Sequence, residues 1–168
     1  MWVSVGQCGS RLLKGGASRR REKGGTAVLM GEFHYTIDAK GRVGFPPRFR
    51  DEMGEELVLT RWLDHCLVAF SMEEFERVAD TFAQKGTAVS RDVQRMLFAS
   101  AQLVRPDRQG RILLTSALRE HAGLEKEVTI LGNRTHAELW DSEAWERYSR
   151  RLSESSDQMA AALAALGI

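Results

Sequence analysis

Cysteine is scarce in this chain of 168 residues: Cys8 and Cys66 are the only two, and they form no Cys-x-x-Cys pair. That argues against a disulfide framework or a cysteine zinc cluster and fits a reducing cytoplasm. No run approaches the ~20 apolar residues that a membrane-spanning helix requires; the most apolar stretch, Met159 to Ile168, is too short. A membrane role is therefore not expected. Net charge is nearly absent too, at +1, so the chain as a whole exerts little pull on a polyanion. Catalytic signatures are missing as well. There is no Gly-x-Ser-x-Gly elbow or Cys/His pairing, and Gly24-Gly25 precedes no strand-to-helix transition that would cradle a phosphate. His34 and His121 have no partners at metal-ligand spacing. Neither an enzyme, a small-molecule substrate, a metal nor a cofactor is expected.

The charge is unevenly spread. Residues 1–29 carry Arg11, Lys14, Arg19, Arg20, Arg21 and Lys23 against Glu22 alone, a local +5, which leaves −4 on the rest. A body of that sign binds nucleic acid only by concentrating its basic residues at one place. The first 29 residues are glycine-rich, lack apolar periodicity and read as disordered. Glu22-Lys23-Gly24-Gly25 is also what a purine-rich ribosome-binding site yields when read in frame, so a natural start at Val28 or Met30 is expected.

What is present is a repeat. Asp38, Gly41, Arg42, Val43, Phe45, Phe49 and Arg50 match Asp107, Gly110, Arg111, Ile112, Leu114, Leu118 and Arg119 at a constant offset of 69. After a short insertion, Phe70 and Phe75 fall opposite Trp140 and Trp145 at an offset of 70, and His65 and His136 occupy corresponding places, which suits a structural job such as closing a strand end.

Each copy reads alike. Phe33–Ile37 and Ala101–Arg105 alternate as strands, and the Asp-x-x-Gly that follows is a tight turn in which Asp caps the backbone and Gly supplies φ > 0. Both copies are expected to be hairpins presenting Gly-Arg at the turn exit, with Pro47 or Ser116 starting a short helix. Two further strands follow, Glu56–Arg61 with Cys66–Phe70 and Glu127–Leu131 with Ala137–Trp140. Ser71 caps a helix to about Ala83, and Asp141 or Ser142 caps one running from Glu143 toward Leu166. The expected organisation is an extension over residues 1–29, a module over 30–83, a connecting helix over 84–100 in which Ser90 is a cap, a second module over 101–150 and a helical tail over 151–168. A module of this size cannot build its own core, so the two pair face to face and one chain is equivalent to a dimer. Trp62, Trp140 and Trp145 read as core or subunit-contact aromatics.

Gly31-Glu-Phe-His-Tyr-Thr-Ile-Asp-Ala-Lys-Gly-Arg42 with Pro46-x-Arg-Phe-Arg50, supported by Arg95-Met-Leu-Phe98 and Glu138-Leu-Trp140, resembles the MraZ family over residues 30–150. The resemblance implies an α+β, β-rich fold: two pseudo-symmetric AbrB-like modules in a double-split, swapped-hairpin β-barrel with flanking helices. It also implies a transcriptional regulator, cytoplasmic and nucleoid-associated, that binds double-stranded promoter repeats upstream of the division and cell-wall cluster and assembles with itself into a ring. The family's DNA-contacting Asp-x-x-x-Arg falls on Asp38 with Arg42 and on Asp107 with Arg111. Gly44 and Pro47 depart from the family's usual residues.

Physically, Lys40, Arg42, Arg48 and Arg50 cluster in one copy, and Arg105, Arg108, Arg111 and Arg119 in the other. Arg42 and Arg111 suit bidentate contact with guanine edges, whereas Lys40, Arg48, Arg50, Arg108 and Arg119 better fit phosphates. Asp38, Gly41, Asp107 and Gly110 are read as turn-forming, since a carboxylate beside phosphate is repelled. In the competing reading both Asp–Arg pairs are salt bridges within or between the repeats, with Arg50 and Arg119 doing likewise. A second function, an antitoxin-like interaction module clasping a partner with the C-terminal helix, also stays open.

Overall fold

A computed structural model of the chain describes residues 28–84 and 88–167; the expectation for the N-terminal extension falls outside them up to residue 27. The first strand, β1 (Leu29–Thr36), begins one residue before the expected module boundary, and Leu29 is buried. Then come β2 (Arg42–Gly44), α1 (Pro47–Met53), β3 (Leu57–Arg61), β4 (Leu67–Ser71) and α2 (Met72–Gln84). The second copy repeats this order with β5 (Gln102–Val104), β6 (Arg111–Leu113), α4 (Ser116–Ala122), β7 (Glu127–Arg134), β8 (His136–Asp141) and α5 (Ser142–Glu154). Between the copies lies α3 (Ala88–Ser100), and the described chain closes with α6 (Ser156–Ala165).

Local signals act where the residues place them. Pro47 stands at the first position of α1, where its missing N–H costs no hydrogen bond. Gly123 ends α4 in the left-handed region at φ 61°, letting Leu124 N–H reach the Arg119 carbonyl at 2.9 Å. Ser71 Oγ accepts Glu74 N–H at 3.2 Å at the head of α2, and Asp141 Oδ1 accepts Ala144 N–H at 2.9 Å at the head of α5.

The strands flanking each Asp-x-x-Gly turn do not pair as local hairpins, although β3 pairs with β4 and β7 with β8. Both Asp-x-x-Gly turns close, with Gly41 N–H on Asp38 O at 2.9 Å and Gly110 N–H on Asp107 O at 2.8 Å. Beyond each turn the arms part and pair with the other copy. β1 lies antiparallel to β7, β5 to β3, and β2 to β6. The result is a six-stranded sheet in the order β1-β7-β8-β4-β3-β5 and a two-stranded ribbon, β2-β6. Pairing across copies buries Val43 and Ile112 completely, opposite one another in the ribbon, which a solvent-exposed local hairpin of three-residue arms could not do.

The ribbon, α1 and α4 cover the inner face of the large sheet. Phe49 sits edge-on to Phe33 and Phe45, with Leu59, Leu114, Leu118, Ile130 and Leu139 around them, all buried. Gly44 is where the Tyr35 ring lies: a Cβ there would come within 2.6 Å of it. The outer face is covered by α2, α3 and α5. Thr60 Oγ donates to the Leu97 carbonyl at 2.6 Å under α3, and Thr129 Oγ meets Ser142 Oγ at 2.9 Å under α5. Covered on both faces, β3 and β4 read as continuous apolar runs rather than alternating ones.

The C-terminal helix differs from expectation. It breaks at Ser155, whose N–H closes α5 on the Arg151 and Leu152 carbonyls and whose own carbonyl starts α6 by accepting Gln158 and Met159 N–H. Ser155-Ser156-Asp157 is a run of residues that compete for backbone hydrogen bonds and favour helix ends. Helix α3 starts at Ala88, so Ser90, expected as its cap, falls inside it, and α2 reaches Gln84.

The seam between copies is tight at Gly132, opposite Gly31. A Cβ on Gly132 would overlap the backbone of Leu29 and Met30. Gly132→Ala is expected to destabilise the protein by about 1–3 kcal/mol in urea denaturation, with faster hydrogen exchange along β1 than elsewhere in the sheet.

Candidate nucleic-acid interface

Because β2 and β6 pair in register around Val43 and Ile112, the two turns feeding them stand side by side. In the first, Asp38 Oδ1 accepts the backbone N–H groups of Lys40 (2.9 Å) and Arg42 (3.0 Å), and Oδ2 accepts Arg42 Nε (2.8 Å) and Nη2 (2.6 Å). The second reproduces it: Asp107 Oδ1 accepts Gln109 N–H (2.9 Å) and Arg111 N–H (3.0 Å), and Oδ2 accepts Arg111 Nε (2.9 Å) and Nη2 (2.7 Å). The turns are also linked crosswise, Arg111 Nη1 to Asp38 Oδ2 at 3.5 Å and Arg42 Nη1 to Asp107 Oδ2 at 4.0 Å. Two carboxylates and two guanidiniums thus form a square about the pseudo-twofold axis, each side chain about a third exposed.

Gly41 and Gly110 both have φ 76°, which their turns need and which favours glycine. Their faces are occupied from the other copy. The Arg50 guanidinium covers Gly110 so closely that a Cβ would collide with it, and Arg119 Nε lies 3.6 Å from where a Gly41 Cβ would stand. Arg50 Nε also donates to the Phe45 carbonyl at 3.2 Å. Arg50 and Arg119 are half-buried braces behind the turns, whereas Lys40, Arg48 and Arg108 are exposed. Arg105 stands apart, its Nε donating to Glu56 Oε1 at 2.6 Å.

Electrostatically the square neutralises itself, so the positive charge at the turn tips comes from Lys40 and Arg108. Each arginine still has donors to spare: a guanidinium carries five N–H groups, and Nη1 of Arg42 and Arg111 makes only long approaches to acid. What the surface offers is a pair of fixed, planar donor forks with Lys40 and Arg108, unpaired among the described residues, beside them. The crosswise contact is the salt bridge between repeats that the competing reading of the sequence allowed. The constant offset was the signal for it, since equivalent turns in a pseudo-dimer are candidates to meet at the axis. His65 adopts φ 57° in the β3–β4 connection, its ring 5.9 Å from that of His121, while His136 lies between Trp62 and Phe70.

Hydrogen bonds from the Arg42 side chain and backbone hold the Asp38 carboxyl down at about 2, and Arg111 does the same for Asp107, also at about 2. A carboxyl whose folded value lies below its unfolded one, ~3.9, stabilises the fold above the unfolded value and loses that contribution as pH falls through the folded one. The urea midpoint is expected to fall between about pH 4 and pH 2, and Asp38→Asn with Asp107→Asn to remove that part of the decline.

Comparison with known proteins finds the same doubling. The family model described as "MraZ protein, putative antitoxin-like" fits the chain twice, over residues 28–96 and 97–166. Among similar proteins, the transcriptional regulator MraZ of Acetivibrio thermocellus is 43% identical over 144 residues, spanning 84% of this chain and 100% of that one. Its namesake in Caldanaerobacter subterraneus subsp. tengcongensis is 41% identical over 135 residues, 79% of this chain and 94% of the relative. That of Thermoanaerobacter sp. strain X514 is 41% identical over 143 residues, 84% and 100%. With a doubled family match and relatives aligned along nearly their whole length, the chain belongs to the MraZ family.

Proposed function

We infer that this protein is a sequence-specific DNA-binding transcriptional regulator acting on short repeats upstream of its own division and cell-wall gene cluster, on the nucleoid in the cytoplasm. One observation carries the reading: the β2-β6 ribbon holds two arginine-bearing turns side by side across the pseudo-twofold axis. A two-stranded ribbon is narrow enough to enter the major groove. Arg42 and Arg111 read base edges with the N–H groups their aspartates leave unused; Lys40, Arg48 and Arg108 hold phosphates; Arg50 and Arg119 fix the turns and add to the local positive potential. Relatives named as transcriptional regulators support the assignment.

The wider architecture belongs to the same proposal. The modules 30–83 and 101–150 together form a swapped-hairpin, double-split barrel, with 84–100 connecting them and 151–168 as a tail. Contact by one chain is weak, since a good bidentate base contact contributes about 1–3 kcal/mol. A ring of copies facing spaced repeats raises affinity through effective concentration. The apolar residues Met159, Leu163 and Leu166, exposed along and just after α6, provide surface for that self-association.

Fluorescence titration against the gene's own upstream duplex and a scrambled one, at two salt concentrations, tests the proposal. The expected result is tight, salt-sensitive preference for the upstream DNA; equal weak binding to both duplexes would favour a partner-clasping module instead. Lys40→Ala and Arg108→Ala are expected to weaken both duplexes alike and to lower the salt slope by about 1 each. Arg42→Lys, which keeps the charge but loses the fork, is expected to cost about 1–3 kcal/mol on the upstream duplex only, in a protein that circular dichroism shows to be folded.

A further inference from the structure

On the outer face of the six-stranded sheet, away from the β2-β6 ribbon, lies a cleft of about 480 Å³, within the range of small-ligand sites. Trp62, Trp140, Trp145 and Tyr148 wall it, with Trp140 and Tyr148 centroids 5.1 Å apart and Trp140 and Trp145 5.6 Å apart. Its polar lining is acidic: Glu138 on β8, Glu32 on β1 and Asp64 in the β3–β4 connection, with Asn133 beside them. Among the described residues, no lysine or arginine lines it.

The repeat shows how this cleft departs from its counterpart. At the offset of 70, Trp140 answers to Phe70, Trp145 to Phe75, Tyr148 to Val78 and Glu138 to the fully buried Val68. In the first copy that place is roofed by α3, where Phe98 packs 5.1 Å from Phe75 and Leu97 is buried. In the second copy, an apolar seat has become an aromatic one with a carboxylate in its floor. Glu138 is almost enclosed, at 14% side-chain exposure. Burial alone would raise its carboxyl, but hydrogen bonds from His136, Asn133 and Trp140 outweigh that and hold it low. Two of these are Asn133 Nδ2 and Trp140 Nε1, each donating at 2.9 Å; His136 Nε2 stands at 3.5 Å. The carboxylate is therefore kept ionised by His136, through its hydrogen bond and its charge, together with the neutral donors Asn133 and Trp140. Among the described residues, neither Glu138 nor Asp64 has a lysine or arginine ion-pair partner.

An ionised carboxylate in the floor of an aromatic-walled cleft is the arrangement that attracts a soft organic cation, through the ring quadrupoles and the fixed negative charge together. We propose that the Trp62–Trp140–Trp145–Tyr148 cleft binds a protonated or quaternary amine, its cationic head against Glu138 and its alkyl groups on the indole faces. This site is independent of the DNA reading, because it shares no residue with the turns.

The test uses the full chain and tryptophan fluorescence. Choline is titrated against 3,3-dimethylbutan-1-ol, the same shape without the charge, at matched ionic strength. The expected result is saturable quenching by choline and binding of the neutral analogue weaker by about tenfold or more. Asp64→Asn changes an exposed residue at φ 56°, a conformation Asn tolerates, so it is expected to lower choline affinity severalfold without shifting the melting temperature. Glu138→Gln is expected to lower it further. Absence of saturable choline binding to the wild-type chain would overturn the proposal, as would equal affinity for the neutral analogue or unchanged affinity in a folded Asp64→Asn protein.

Discussion

The structure depends on exchange between its two copies. Neither copy's first strand pairs with its own later strands: β1 is held by β7, β5 by β3, and the short arms β2 and β6 by each other. Everything near the axis follows from this. The reciprocal hydrogen bonds Phe45 N–H to Gly110 O and Leu114 N–H to Gly41 O, at 3.0 and 2.8 Å, tie each turn to the segment leaving the other. Arg50 and Arg119 then rest on the opposite turn's glycine rather than their own. A single module lacks both the partner strand and the residues that complete its turn, which is why the core around Phe49, Ile112 and Ile130 is common property.

Much of this was legible in the sequence. The offset between Asp38-x-x-Gly-Arg42 and Asp107-x-x-Gly-Arg111 located the turns, the axis and the equivalence of the halves, and capping residues such as Pro47, Ser71 and Asp141 located helix starts. The resemblance implied a swapped hairpin, but the residues alone suggested a local one, because turn chemistry specifies the loop and says nothing about where its arms find partners. That choice is made by burial, and only the three-dimensional pairing of Val43 with Ile112 expresses it. The break at Ser155 was missed because the alanine-rich run that follows is strongly helical and masks the stop signal of Ser155-Ser156-Asp157. At the site, residue types and clustering were readable; the division of labour was not. Arg50 and Arg42 look alike in sequence, yet one braces a turn and the other keeps part of its fork at the surface.

The Asp–Arg square also sets a balance. Each carboxylate fixes an arginine's rotamer by charge-assisted hydrogen bonds, which reduces the entropy lost when that arginine meets a ligand. The same carboxylates repel a polyanion. With Lys40 matched by Gln109 and Ala39 by Arg108, the two tips carry their compensating cations at different positions, so the halves are alike in backbone and unlike in charge pattern.

The exchange of strands has a consequence for the order of synthesis. Leu29 finds its partner Arg134 near the far end of the chain, so an emerging polypeptide has its first strand ready long before β7 has left the ribosome. Until then β1 is an unpaired edge, and the β2 arm waits for β6. Closure of the sheet comes late, as long-range pairing requires, and a product truncated before residue 127 would keep the residues of both turns but lack β7, the partner of β1. Met30-Gly31-Glu32, exposed at the head of β1, spares the waiting edge a long apolar run, a device that lowers its tendency to pair with another nascent chain.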